Sequence, residues 1–177
     1  MAWSCKTCGQ THDSIPLSFA ADYPDNYSNM SDDQRDLRAI IGSDQCVIDE
    51  EQFYIRGCLE IPIHGQQEPF LWGLWASLWE ADYDHISDTW ETPERENSTG
   101  PFKGRLSNNL REYPFDTYNL TLTVQIQPVG QRPLFFVDEP GHPLSIAQQN
   151  GISLEEAQEL ALNILHGNSS AALEPLN

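Results

Sequence analysis

Residues 53–63 read FYIRGCLEIPI and residues 69–79 read PFLWGLWASLW, and these two stretches decide the fold. In the first, Phe53, Ile55, Gly57, Leu59, Ile61 and Ile63 share one face. Tyr54, Arg56, Cys58 and Glu60 share the other, because side chains of an extended chain alternate with a period of two. The second stretch is apolar on both faces, as expected of a central strand covered on each side. Its length also suits a buried helix, but Gly73 and three tryptophans favour a strand.

Working outward, Cys46-Val47-Ile48 and the first stretch flank an acidic turn at 49–52, which predicts a hairpin. Further strands are expected near 102–107, at 118–127 and at 132–138, the last two paired across the turn at 128–131. Ser31 and Gln34 form a capping-box pattern ahead of a short helix over 32–41, with Leu37, Ile40 and Ile41 on one face and Gly42 ending it. The front of the acidic stretch 80–101 reads as a helix, the rest as a loop closed by Gly100-Pro101. Residues 145–150 suit one helical turn. A second capping box, Ser153 to Glu156, starts a helix whose apolar stripe is Leu154, Ala157, Leu160, Ala161, Ile164 and Leu165. The fold class is therefore α+β: a mostly antiparallel β-sheet of five or six strands with flanking helices and an N-terminal CxxC knuckle. Residues 1–167 make a single domain, with a Cys-rich opening at 1–12, and 168–177 read as a flexible tail.

The 177 residues carry 9 Lys plus Arg against 27 Asp plus Glu, a formal charge of -18. Such an excess excludes ordinary binding to the nucleic-acid backbone, since too few cations exist to displace its counterions. It equally disfavours an anionic membrane surface. With 39% hydrophobic residues and a mean hydropathy of -0.49, the chain is globular rather than disordered. No run of 18 apolar residues occurs, and the opening MAWSCKTCGQTH lacks the pattern of a signal peptide. A cytoplasmic protein is expected.

Five segments occur in order: CKTCGQTHDSIPLSFAADYPD, SDQCVIDEEQFYIRGCLEIPI, FLWGLWASL, RPLFFV and HPLSIAQQNGIS. Together they resemble the bacterial domain-of-unknown-function 2199 family over about residues 5–160. The resemblance implies a small bacterial cytosolic protein of one domain. It carries no assigned activity, so a function has to come from the residues themselves.

Cys5-Lys-Thr-Cys8-Gly9 has the form of a zinc knuckle: thiolates two residues apart can meet one ion, and the Gly eases the turn. A structural zinc needs four ligands, and the favoured set is Cys5, Cys8, His12 and Cys46, with Cys58 the other choice for the fourth. The bland alternative is a pair of free or redox-active thiols. His142, in Pro-Gly-His-Pro, suits a loop base but more often such a residue bonds its own turn. Arg56 and Glu60, on one strand face beside Cys58, make either a polar site floor or a structural ion pair. Trp72 reads as core. Trp75 and Trp79 stay open between core and a partner-binding surface. The acidic run Glu80, Asp82, Asp84, Asp88, Glu91, Glu94 and Glu96 holds one cation, Arg95, and is either a solvated face or a dock for a basic partner.

No phosphate-binding loop, dinucleotide fingerprint, nucleophile elbow or HExxH occurs, so the reading leans away from an enzyme. The expected function is a non-enzymatic protein-interaction module that meets a basic protein partner and carries a structural zinc knuckle. A toxin-neutralising immunity protein is one concrete form. The rival is a small-molecule binder or enzyme built around Arg56, Glu60 and His142.

Overall fold

The structure is a computed structural model that describes residues 3–4, 11–12, 15–98, 100–167 and 173–175. Strands β1 (Trp3–Ser4) and β2 (Thr11–His12) pair antiparallel as a separate ribbon. After β3 (Ser18–Ala21) come the short α1 (Asp25–Ser28) and α2 (Asp32–Arg38). The expected capping box is present: Gln34 N–H donates to Ser31 Oγ, and Ser31 N–H donates to the Gln34 side chain. The helix stops at Arg38, three residues earlier than its pattern suggests, and residues 39–41 become β4 (Ala39–Ile41). Two consecutive isoleucines prefer an extended chain, and pairing with β5 (Gln45–Ile48) decides the matter. Leu37, which would have led the apolar face of a longer helix, is 85% exposed.

The hairpin from β5 into β6 (Gln52–Ile61) forms as its sequence predicts. Its turn holds both Asp49 and Glu50 at φ 55°, and the Arg38 guanidinium grips the Asp49 carboxylate. β7 (Phe70–Leu78) then pairs with β6 along its whole length. α3 (Glu80–Asp88) and the single turn α4 (Arg95–Ser98) lead to β8 (Phe102–Leu106), β9 (Thr121–Gln125) and β10 (Leu134–Val137). Last come α5 (Pro143–Asn150), α6 (Leu154–His166) and β11 (Leu173–Pro175). β11 pairs with β3, so part of the expected tail joins the sheet.

β6 to β10 run antiparallel, each to the next, and β10 returns to β6. Five strands alternating in direction leave the first and last pointing the same way, so the closing pair has to be parallel. It is: Leu134 pairs parallel with Cys58, whose N–H donates to Pro133 O at 2.8 Å. The sheet is thus a five-stranded barrel with wings, which the sequence periodicity alone does not disclose. β6 shares its outer edge between β5 and β10, and β7 shares its own between β3 and β8.

The face predicted to be apolar is the barrel's inner one. Paired across it are Ile55 with Ala76, Leu59 with Trp72, and Val124 with Phe135, all buried. Gly57 sits at the seam, where a Cβ would lie 2.3 Å from the Phe135 ring and 2.7 Å from Pro133 O. The rest of the β10 edge is closed by one side chain of α5. Gln148 accepts from Val137 N–H at 2.9 Å and donates to Phe135 O at 2.7 Å. On α6 the predicted stripe holds in part. Ala157, Ala161 and Ile164 are buried and Leu160 packs against the core, but Leu154 and Leu165, at the two ends of the stripe, are exposed. The Ser153–Glu156 box caps the helix.

Candidate functional site

β7 ends at Leu78 and α3 begins at Glu80, so Trp79 is the residue between them. Its carbonyl accepts the first helical bonds, from Asp82 and Tyr83 N–H, which makes it the N-cap. Ser, Thr, Asp or Asn at that position satisfies a loose amide and contributes about 1 kcal/mol. Trp79 supplies no such bond, and its indole is 79% exposed. The helix forgoes a cap and the solvent gains a large apolar surface. These two departures from the local rules make Trp79 a candidate functional position.

Two grooves meet at Ser77, Leu78 and Trp79. One, of about 530 Å³, runs toward β6 and is rimmed by Glu50, Glu51 and Glu80. Its floor is a closed amide–phenol network. Asn26 Nδ2 donates to Gln52 Oε1 at 2.8 Å and to the Tyr54 hydroxyl at 2.9 Å. Tyr54 donates to Gln52 Oε1 at 2.7 Å, and Tyr118 donates to Asn26 Oδ1 at 3.0 Å. Because these groups satisfy one another, the floor is rigid and specified. The second groove, of about 290 Å³, runs toward β8 and is edged by Lys103 and Arg105.

A larger groove of about 620 Å³ lies near the barrel seam, with Cys58, Glu60, Trp90 and Arg132 among its lining. Asp44, Arg95 and Arg132 in that lining are engaged within the fold. Arg132 Nε donates to Asp44 Oδ1 at 2.6 Å. Burial works to raise the Asp44 carboxyl, but the Ser43 hydroxyl and Arg132 together hold it below the usual carboxylate range. Burial pushes the Cys58 thiol up, against the pull of Arg132, so it is no activated nucleophile.

The expected polar site around Arg56, Glu60 and His142 does not assemble. Arg56 Nη2 donates to Ala21 O at 2.9 Å, and the guanidinium lies 5.8 Å from the Trp75 ring and 4.0 Å from Asp22. Its ionic partner is thus Asp22, not Glu60. Glu60 lines the seam groove, which neither Arg56 nor His142 reaches. His142 caps α5, Nδ1 accepting from Leu144 N–H at 3.1 Å, which is the bland role weighed above. Trp75 is wholly buried, its Nε1 donating to Ala21 O at 3.2 Å, so it belongs to the core rather than a binding surface. Of the expected binding residues, Glu60 stands on the seam groove and Trp79 on the two grooves that meet at the end of β7.

Of the knuckle residues, Cys5 and Cys8 lie outside the described residues, and His12 is placed only as a position on β2. Cys46 is wholly buried on β5, and burial pushes its thiol up to about 12. Among the described residues no three His, Cys, Asp or Glu side chains are grouped to hold a metal ion.

Comparison with known families gives one match, to uncharacterized proteins conserved in bacteria (DUF2199), over residues 4–152. The chain belongs to the DUF2199 family. The match spans β1 to α5, so this DUF2199 chain carries the whole barrel and Trp79 within the family region, with α6 and β11 beyond it. No curated protein and no solved structure matches the chain. No helix among its described residues is long and apolar enough to cross a membrane.

Sequence reasoning named Trp79 and noted the acidic turn, but it did not connect them. It missed Asn26, Gln52 and Tyr118 entirely. Nothing in their local pattern signals a network that joins residues 26 to 118 across the fold.

Proposed function

We propose that this chain is a non-enzymatic protein-interaction module of the bacterial cytoplasm, docking a basic protein partner at the groove beside Trp79. The observation that carries the reading is the exposed, uncapping indole set among Glu50, Glu51 and Glu80. Tryptophan is among the residues that dominate interface energetics, and surrounding carboxylates select a cationic partner and steer its approach. The net charge of -18 acts in the same direction at long range. A toxin-neutralising immunity protein is the concrete form that this charge favours, because it has to cover a cationic surface.

The test is affinity capture from a bacterial lysate with three baits: the natural chain, Trp79→Ala, and Glu50→Gln combined with Glu51→Gln and Glu80→Gln. A partner of this site is retained by the first and lost by the other two. Its association rate falls by tenfold or more between low salt and 0.15 M, where the Debye length is about 8 Å. A captured protein that binds Trp79→Ala equally well, at a salt-independent rate, removes the reading.

The structural zinc knuckle of Cys5, Cys8, His12 and Cys46 belongs to the same proposal and has its own test. Metal analysis of protein purified without chelator is expected to give about one zinc per chain, lost in Cys5→Ser or Cys8→Ser. Because the barrel has its own core, the variants should still unfold cooperatively, unlike an isolated zinc finger. Absence of zinc from the natural chain refutes the knuckle and leaves the docking reading intact.

A further inference from the structure

Trp79 is the wall common to two grooves of opposite charge. We infer that they are halves of one docking site, and that its occupant is an extended mixed-charge peptide segment: a Lys or Arg, then an apolar side chain over the indole, then an Asp or Glu. The inference rests on the docking reading above and adds the order of chemistry along the partner.

On the acidic side, Glu50 sits at φ 55°, where Gly or Asn is comfortable and a longer side chain is not. The neighbouring Asp49 is engaged by Arg38, whereas Glu50 and Glu51 have no ion-pair partner among the described residues. The carboxylates facing the groove are thus available. On the basic side, Lys103 and Arg105 project from alternate positions of β8. Lys103 is held by Asp138 at 2.7 Å. Arg105 is exposed, donates to Asn119 O at 3.1 Å, and has no carboxylate within ion-pair distance among the described residues. That bond to a main-chain carbonyl leaves its exposed guanidinium with donors for an incoming carboxylate.

Charges of opposite sign on either side of an apolar anchor fix the register and direction of a bound segment. An extended chain advances about 3.3 Å per residue. A few residues therefore suffice to carry the ends of a segment off the indole and into the two flanking grooves.

The experiment uses the full chain labelled with nitrogen-15, with the Trp79 indole signal assigned through Trp79→Phe. Two probes are titrated: acetyl-Lys-Gly-Leu-Gly-Glu-amide and acetyl-Lys-Gly-Leu-Gly-Lys-amide, each also with the spacers lengthened by one residue. On bulk charge alone the dibasic probe has to bind this anionic chain more tightly. The inference expects the opposite: the mixed probe shifts the Trp79 signal and binds at least fivefold tighter. Arg105→Glu, an exposed substitution whose fold is checked by thermal unfolding, is expected to reverse that order. Equal or tighter binding of the dibasic probe to the natural chain overturns the inference while leaving a basic partner in the acidic groove. No movement of the Trp79 signal at millimolar concentrations of any probe also overturns it. The capture experiment with Trp79→Ala then decides separately whether the docking reading survives.

Discussion

Gly57→Ala is expected to destabilise the chain by about 3 kcal/mol, the upper part of the range for overpacking a buried site. The added methyl group would stand 2.3 Å from Phe135 Cζ, well inside van der Waals contact, and 2.7 Å from Pro133 O. Neither neighbour can yield cheaply. Phe135 is wholly buried on the strand that closes the barrel, and Pro133 O accepts a backbone bond across the closing pair, from Cys58 N–H. Relief would require the seam to part. The measurement is the midpoint of urea unfolding, with the slope compared to detect any change in compactness. Phe135→Leu removes part of the ring that obstructs the methyl group. The double variant should therefore lose less than the sum of the two single losses, because contacting sites are not additive. A loss below about 0.5 kcal/mol for Gly57→Ala, the size of an ordinary surface change, would mean that the seam is looser than the structure has it.

Arg95→Met is the second large loss, about 3 kcal/mol. Arg95 is 3% exposed, and its guanidinium gathers main-chain carbonyls from two separate stretches. Nη1 donates to Trp90 O, Nε to Gln127 O at 2.8 Å, and Nη2 to Gln131 O at 2.7 Å and to Pro128 O at 3.3 Å. The ring of Trp90 lies 4.6 Å away. One cation thus ties the loop after α3 to the turn between β9 and β10. Hydrogen bonds to a charged group contribute about 1.5–3 kcal/mol each, and several carbonyls would lose their donor together, though those near the surface can turn to water. Arg95→Lys should recover little, because one ammonium cannot reproduce a planar fork of five donors. Calorimetric unfolding of both variants checks this, and near-complete rescue by lysine would show that charge rather than fork geometry is what matters.

The strands were legible because their alternation is strict. Leu122 and Val124 on β9, and Phe135 and Val137 on β10, are buried every second residue, and a period of two needs no knowledge of the partner. Both capping boxes were legible for a similar reason: Ser31 to Gln34 and Ser153 to Glu156 are complete within four residues. What escaped was long-range. That β10 closes onto β6 depends on the number and direction of strands, which no local window contains. The end of α2 was misread because Leu37, Ile40 and Ile41 fit a helical face and a helix-to-strand change equally well. Ile40, at 78% exposure, shows that its spacing reported no burial at all. At the candidate site, Trp79 was visible as a large aromatic residue. Its position as an N-cap was hidden, since a capping position is recognised by the side chains that serve it, and an indole is not one of them.

The parallel closure of the barrel has a consequence for the chain while it is being made. Synthesis delivers domains N-terminal end first, at roughly 5–20 residues per second. β5, β6 and β7 are neighbours in sequence and can pair as soon as they emerge. The edge of β6 at Cys58 has no partner until Leu134 follows, and the edge of β10 is not closed until Gln148 arrives. Throughout that interval the nascent sheet presents an open edge with a thiol beside it. Open edges invite pairing with other chains. Products truncated or stalled before β10 should therefore be the species that aggregate or form disulfide-linked oligomers, while in the finished chain Cys58 is half-buried in a paired strand and burial keeps its thiol protonated.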